Sequence, residues 1–169
     1  MTTIKFAQDN IFEKGIGKYD LCVFYGHHNM AFGLGYSLIK EKYKEFKITE
    51  NPFETMPGKP IIYADKKAFV CVPHDFMSNE NLRIDLTYWL KYATDNNLKT
   101  IAITGVRDIA KKEIIDINLA KENDNNRVIF IVETLKNWLI QTKPDIREIL
   151  LIAISNNYTR NYNNPIYIN

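Results

Sequence analysis

Between residues 19 and 38 the chain reads YDLCVFYGHHNMAFGLGYSL. An apolar run over residues 21–25 stops at Gly26-His27-His28-Asn29, and two glycines, Gly33 and Gly35, then lead into helix-forming sequence. That order is a strand, a polar tip, a glycine-rich loop and a helix. Such a junction turns bare backbone N–H groups toward one spot. A helix N-terminus adds partial positive charge there, so the spot favours a phosphate.

The rest of the chain continues the alternation. Residues 3–7 are short and alternating, a first strand, and a glycine-broken turn occupies residues 13–18. Residues 21–24 lack polar side chains on either face, as a strand buried on both sides does. Residues 35–46 read as a helix, with Leu38, Ile39, Tyr43 and Phe46 on one face. Three prolines and a glycine make residues 51–60 a loop. Residues 61–63 and 68–72 flank Asp65-Lys66-Lys67 and read as a hairpin. Leu82, Leu86, Trp89, Leu90 and Ala93 fall at helical spacing, and this second helix ends near Asn96-Asn97. Residues 100–103 form another buried strand. Residues 105–126 are charged and Asn-rich, with a short helix around 113–117; so long a segment reads as a lid or a flap. Val128, Ile131, Val132, Leu135, Trp138 and Leu139 define a third helix that Pro144 stops. Residues 148–154 are the last strand, and the tail from about residue 155 reads as irregular. Strands alternating with helices predict an α/β fold, three-layer α/β/α, and the hairpin makes its central sheet mixed.

A length of 169 residues at 46% hydrophobic content suits one domain with its own core. A net charge of +2 with no Lys/Arg block argues against a nucleic-acid footprint. Cys22 and Cys71 sit inside apolar runs and read as core thiols. No apolar run approaches membrane-spanning length, and no basic-then-apolar leader is present, so a soluble, cytoplasmic setting is expected.

The polar chemistry collects at strand ends. His27 and His28 follow one strand, His74 and Asp75 a second, and Thr104-Gly105-Val106-Arg107-Asp108 a third. In open α/β sheets the ligand crevice lies beyond the carboxyl ends of the strands. If these strands are parallel neighbours, the three tips face one cleft. Each histidine could equally be a solvated or helix-capping residue, and Gly26, Gly33 and Gly35 could serve tight turns alone. His28, His74 and Asp75 match metal ligands in type, but their spacing is not that of a metal site, so no metal is expected. No Walker lysine follows the glycines, and neither G-x-G-x-x-G nor G-x-S-x-G occurs.

In this order of elements the chain resembles a macrodomain, the ADP-ribose-binding fold. Asn10-Ile11-Phe12 sits on the family's D-I-F. Residues 20–27, DLCVFYGH, sit on D-V-I-V-H-x-V-N without a gap, and residues 32–37, FGLGYS, on M-G-x-G-I-A. Residues 39–43 continue as the family's basic helix does. Residues 101–105, IAITG, resemble the strand leading into the second phosphate loop. Asn10 stands where the family has Asp, His27 where it has Asn, and Val106-Arg107-Asp108 replaces the glycines of the second loop. These departures suit a divergent member, viral or otherwise fast-evolving.

The resemblance implies ADP-ribose or a related nucleotide as ligand, with no cofactor. Backbone N–H groups of Gly33, Leu34 and Gly35 would hold its phosphates. Arg107 would add a charge-assisted fork, Asn10 would contact adenine, and Tyr158 would stack on it. Gly26, His27 and Asn29 at the first tip and Thr104 and Gly105 at the third complete the expected ligand-binding set. Hydrolysis of an ADP-ribosyl or terminal phosphate bond would use His28 or His74 as acid or base, oriented by Asp75 or Asp108. A non-catalytic sponge for a nucleotide signal needs the same cleft and no base. A nucleic-acid or protein adaptor would instead use the Asn/Tyr/Arg tail, residues 156–162, whose plainer reading is a solvated or sheet-edge extension. Neither the oligomeric state nor the exact nucleotide follows from the residues.

Overall fold

The computed structural model describes residues 1–9, 14–15, 17–26, 61–62, 68–73, 78–104, 117–153 and 156–169; for 24–26, 61–62, 68–73 and 117–124 this covers the backbone alone. The strands are β1 (Thr2–Gln8), β2 (Leu21–Gly26), β3 (Ile61–Ile62), β4 (Ala68–Pro73), β5 (Thr100–Thr104), β6 (Glu148–Ala153) and β7 (Ile166–Ile168). Two helices are described, α1 (Asn79–Asp95) and α2 (Ile117–Thr142). The expected helix over residues 35–46 and the loop over 51–60 lie outside the described residues.

All seven strands join one sheet in the order β3-β4-β2-β5-β6-β1-β7. The run β4-β2-β5-β6-β1 is parallel throughout. β3 pairs antiparallel with β4, as the hairpin pattern predicts, and β7 pairs antiparallel with β1. The sheet is therefore mixed only at its two edges.

Burial explains why the central strands read as continuous apolar runs. Leu21, Cys22 and Val23 are fully buried, and so are Ile101, Ala102, Ile149, Leu151 and Ile152. Consecutive strand residues point to opposite faces, so both faces of the central strands are closed to solvent. Ile4, Leu21, Val23, Ile101, Ile103, Ile149 and Leu151 belong to one core with the helices. Cys22, Ala102, Leu150 and Ile152 alternate with them and are buried on the other face. A three-layer α/β fold requires this double cover.

α1 buries the five residues that its spacing picks out: Leu82, Leu86, Trp89, Leu90 and Ala93. Each large side chain so buried stabilises by about 1.5–3 kcal/mol before conformational entropy is counted. Ser78 caps its start, its hydroxyl accepting from the Asn81 N–H at 3.1 Å. Its end is a Schellman turn. Asn97 takes φ 58°, the Leu98 N–H donates to the Ala93 carbonyl and the Asn97 N–H to that of Thr94. α2 stops in the simpler left-handed form: Lys143, at φ 46°, donates to the Leu139 carbonyl, and Pro144 follows.

Two expectations are corrected. Helix α2 begins at Ile117, inside the segment read as a lid or flap, and runs without interruption into the residues that show clear helical spacing. Its stretch from Lys121 to Asn126 is all polar and rich in weakly helical Asn, so no local periodicity marks it. Residues 105–116 lie outside the described residues. The tail is likewise more ordered than expected. A turn over residues 157–161 leads to β7, which adds an edge strand beside β1 through Thr2↔Ile168 and Ile4↔Ile166. That partner is more than 160 residues away in the chain, so local sequence could not reveal it.

Candidate functional site

The parallel strands all end at one edge of the sheet. Gly26 at the end of β2 stands opposite Pro73 at the end of β4, and Thr104 at the end of β5 stands opposite Phe24. On the other side Thr104 pairs with Ile152 of β6, and Ala153 pairs with Gln8 of β1. The three strands that carry polar tips in the sequence are thus contiguous, parallel and nearly level. Pro73 has no N–H, which ends the ladder on its side.

The alignment is fixed from the opposite edge. The Asp20 carboxylate accepts from the Lys99 N–H at 2.8 Å and the Thr100 N–H at 3.2 Å, and the Asp20 N–H donates to the Thr100 hydroxyl at 2.9 Å. These bonds tie the start of β2 to the start of β5. Nearby, Glu148 at the start of β6 accepts from the Tyr19 hydroxyl and pairs with Lys5 at 2.7 Å. Burial pushes the Glu148 carboxyl up, but the hydrogen bonds from Lys5 and Tyr19 outweigh it and hold the group below the usual carboxylate range. Burial, with the Glu148 hydrogen bond, raises the Tyr19 phenol.

Of the expected site residues, Gly26, Thr104 and Tyr158 lie among the described residues. Gly26 ends β2 at the edge just described. Thr104 is buried at 5% exposure, and its hydroxyl donates to the Ile152 carbonyl at 2.7 Å. Its proton is therefore committed to the sheet, and what it offers a ligand is its place at the strand end. Tyr158 is a correction. It is 2% exposed, belongs to the hydrophobic core and lies 6.3 Å from Phe6, so it has no free face for adenine. Burial raises its phenol, and among the described residues its hydroxyl has no hydrogen-bond partner. Asn10, His27, His28, Asn29, Gly33, Leu34, Gly35, His74, Asp75, Gly105, Arg107 and Asp108 lie outside the described residues.

One polar arrangement at this edge was not expected. The Arg127 guanidinium, 8% exposed, donates to the Asn79 side-chain carbonyl at 2.6 Å and so ties α2 to the first residue of α1. Asn125, half a turn earlier, accepts from Arg160 at 2.5 Å and from the Asn161 amide at 3.1 Å. The turn bearing Arg160 follows β6 and is held from within: Arg160 N–H bonds to the Asn156 carbonyl, Tyr158 is buried, and Tyr162 stacks on Phe6 at 4.6 Å and 9°. Within residues 156–162, Tyr158 is buried and Phe6 covers one face of Tyr162, which leaves little free ring surface there for stacking on bases. Arg160 and Asn161 fall in the 156–162 stretch singled out from the sequence; Asn79, Asn125 and Arg127 sit in helices and carried no such signal.

Among the described residues no group of three His, Cys, Asp or Glu side chains could hold a metal ion, and no helix is long and apolar enough to cross a membrane.

No protein-family description matches the chain, and no curated protein matches it. Solved structures do. Alphavirus P23pro-zbd matches with a TM-score of 0.59 and 13% identity, over 95% of this chain and 23% of that one. A tomato leucine aminopeptidase mutant matches with a TM-score of 0.55 and 10% identity, over 92% of this chain and 33% of that one. The macrodomain of Thermus aquaticus DarG matches with a TM-score of 0.51 and 13% identity, over 89% of this chain and 97% of that one. The chain spans a third or less of the first two and nearly all of the third. At such identities the likeness is one of fold, and it joins the parallel sheet with its level strand ends in one conclusion: this is a macrodomain-like α/β fold.

Proposed function

We propose that the chain binds ADP-ribose or a related nucleotide in the crevice beyond the carboxyl ends of β4, β2 and β5. The observation that supports it most is the register Gly26↔Pro73 and Phe24↔Thr104, within a macrodomain-like fold. From those ends the chain continues into His27-His28, His74-Asp75 and Gly105, the polar tips of the sequence. In this reading Gly33, Leu34 and Gly35 present backbone N–H groups to the phosphates, with the dipole of the helix expected from the sequence over residues 35–46 behind them. Arg107 adds a fork to phosphate, where a planar guanidinium outperforms an ammonium. Asn10 meets adenine.

Two uses of this cleft differ in chemistry. In a sponge, binding is the whole function. In a hydrolase of an ADP-ribosyl or terminal phosphate bond, His28 or His74 moves the proton and Asp75 or Asp108 orients it. Calorimetry with ADP-ribose beside a product assay on the same sample separates them, since tight binding without product identifies the sponge. A thermal-shift screen against ADP-ribose, NAD and cyclic dinucleotides tests the ligand itself. A ligand at 100 times its dissociation constant stabilises the fold by about 2.7 kcal/mol. Absence of any shift with every nucleotide refutes the proposal. In the hydrolase, His28→Ala abolishes turnover and keeps most binding; unchanged turnover removes His28 from the mechanism.

A further inference from the structure

Six large apolar side chains are exposed among the described residues, and four of them border one edge of the sheet: Met1 at 76%, Tyr167 at 63%, Ile140 at 52% and Ile129 at 45%. The other two, Ile84 and Tyr88, stand one turn apart on the outer face of α1. The edge is β7, the last strand in the order. It pairs with β1 on one side and with nothing among the described residues on the other.

Strand alternation places the first two side chains. Thr2, Ile4 and Ile168 are buried and Ile166 packs against the core, so they mark the face that the helices cover. Thr3 and its partner Tyr167 point to the opposite face, and Met1 extends the same row. Ile129 and Ile140 lie on α2. The bond from Arg127 to Asn79 marks the side of α2 that meets α1, and the bonds to Asn125 mark the side that meets the turn before β7. At 3.6 residues per turn, Ile129 and Ile140 fall within about 60° of Asn125 and away from Arg127. Ile140 is two residues from the end of α2, and the chain re-enters the sheet at Glu148, level with Thr3. Ile140 therefore lies toward the same end of the sheet as Tyr167.

This surface is neutral as well as apolar. Residues 161–169, NYNNPIYIN, hold no Asp, Glu, Lys or Arg. Glu133 and Lys136, between the two isoleucines of α2, pair with each other at 3.2 Å, and Lys5, on the row of Thr3, pairs with Glu148. Soluble folds guard exposed sheet edges with charge, above all with lysine, and β7 carries none. A charge-free strand meets its own copy without repulsion, and a twofold axis makes such an edge self-complementary. Pro165 has no N–H, which keeps the ladder short and leaves much of the contact to the flanking apolar side chains.

We infer that β7 is a self-association edge, at which two copies of this chain pair β7 with β7 antiparallel about a twofold axis at Tyr167. Ile166 then stands opposite Ile168 of the second copy on the face that α2 covers, and the two Tyr167 rings meet on the other face. The contact lies at the beginning of β1, at the far end of the strands from the crevice proposed above, so it does not rest on the nucleotide reading.

Sedimentation equilibrium of the unaltered chain over a range of concentrations is the test. The expected result is a monomer–dimer equilibrium that stops at two copies, because an isologous contact closes on itself. Tyr167→Lys sets two like charges against each other across the axis and raises the dissociation constant about tenfold or more. Ile140→Lys weakens the dimer too, whereas Ile84→Lys and Tyr88→Lys together leave it unchanged. All four positions are exposed, and circular dichroism checks the fold of each variant. A monomer at every concentration overturns the inference, whether the edge is then bare or takes a strand of another protein. Assembly that grows past two copies overturns it. So does a dimer that survives both Tyr167→Lys and Ile140→Lys, or one that is lost with the α1 pair instead.

Discussion

Replacing Asp20 with alanine tests how the strand ends are kept level. The carboxylate accepts from two backbone N–H groups at the start of β5, at 2.8 and 3.2 Å, across 79 and 80 residues of sequence. Hydrogen bonds to a charged group contribute about 1.5–3 kcal/mol each. The longer bond is weaker and the site is half-buried, so the pair contributes near the lower end, about 2–3 kcal/mol in all. Alanine also leaves the Lys99 and Thr100 N–H groups without their acceptor. For a chain of this size each kcal/mol moves the melting temperature by about 2–4 °C, so Asp20→Ala should melt roughly 5–10 °C lower. Asp20→Asn keeps an acceptor oxygen but loses the charge and should cost about half as much. Urea unfolding of the three chains measures this directly, with the slope m unchanged because the surface exposed on unfolding is the same. A loss below about 0.5 kcal/mol for Asp20→Ala, within the range of ordinary surface substitutions, would refute the assignment of this carboxylate as the clamp between β2 and β5.

The remaining predictions concern titration and burial. Glu148 is held below its ordinary value of 4.5, so its contribution is present above that value and is lost as pH falls through the lowered folded value. Urea midpoints from pH 7 to pH 3 should fall less steeply for Glu148→Gln than for the unaltered chain, and parallel curves would contradict this. Tyr19 and Tyr158 are both raised above 10.0, so the folded state keeps them protonated, and the stability they confer is full below pH 10 and declines above it. Tyr158→Phe removes a buried hydroxyl that has no partner among the described residues. It should leave stability unchanged or raise it by about 1 kcal/mol, and it should flatten the alkaline decline. A loss of more than 1 kcal/mol would show that the hydroxyl is satisfied in solution.

Much of the scaffold was legible because burial and periodicity coincide. In α1 the five residues at helical spacing are the five that are buried, and Asn96-Asn97 marks its end. The runs that become β2, β5 and β6 are apolar without alternation because both of their faces are covered. The start of α2 was hidden because Asn-rich sequence carries no helical stripe; there Arg127 bonds to Asn79 and Asn125 to the 160–161 turn. β7 was hidden because its pairing with β1 joins the two ends of the described chain. Tyr158 was misplaced for a related reason. A tyrosine after a strand reads alike whether its ring faces a ligand or the core, and here Phe6 and the core receive it.

The sequence by itself determined the kinds and order of the described elements other than β7, and the presence of polar residues after three apolar runs, since these follow from local spacing and from which side chains water rejects. Which strands are neighbours, that five of them run in the same direction, and that Gly26, Pro73 and Thr104 finish side by side were decided only by the tertiary structure. Strand order is a choice among long-range pairings whose backbone hydrogen bonds are chemically alike. The choice is made by contacts between residues scores of positions apart, such as Asp20 with Thr100 and Tyr19 with Glu148.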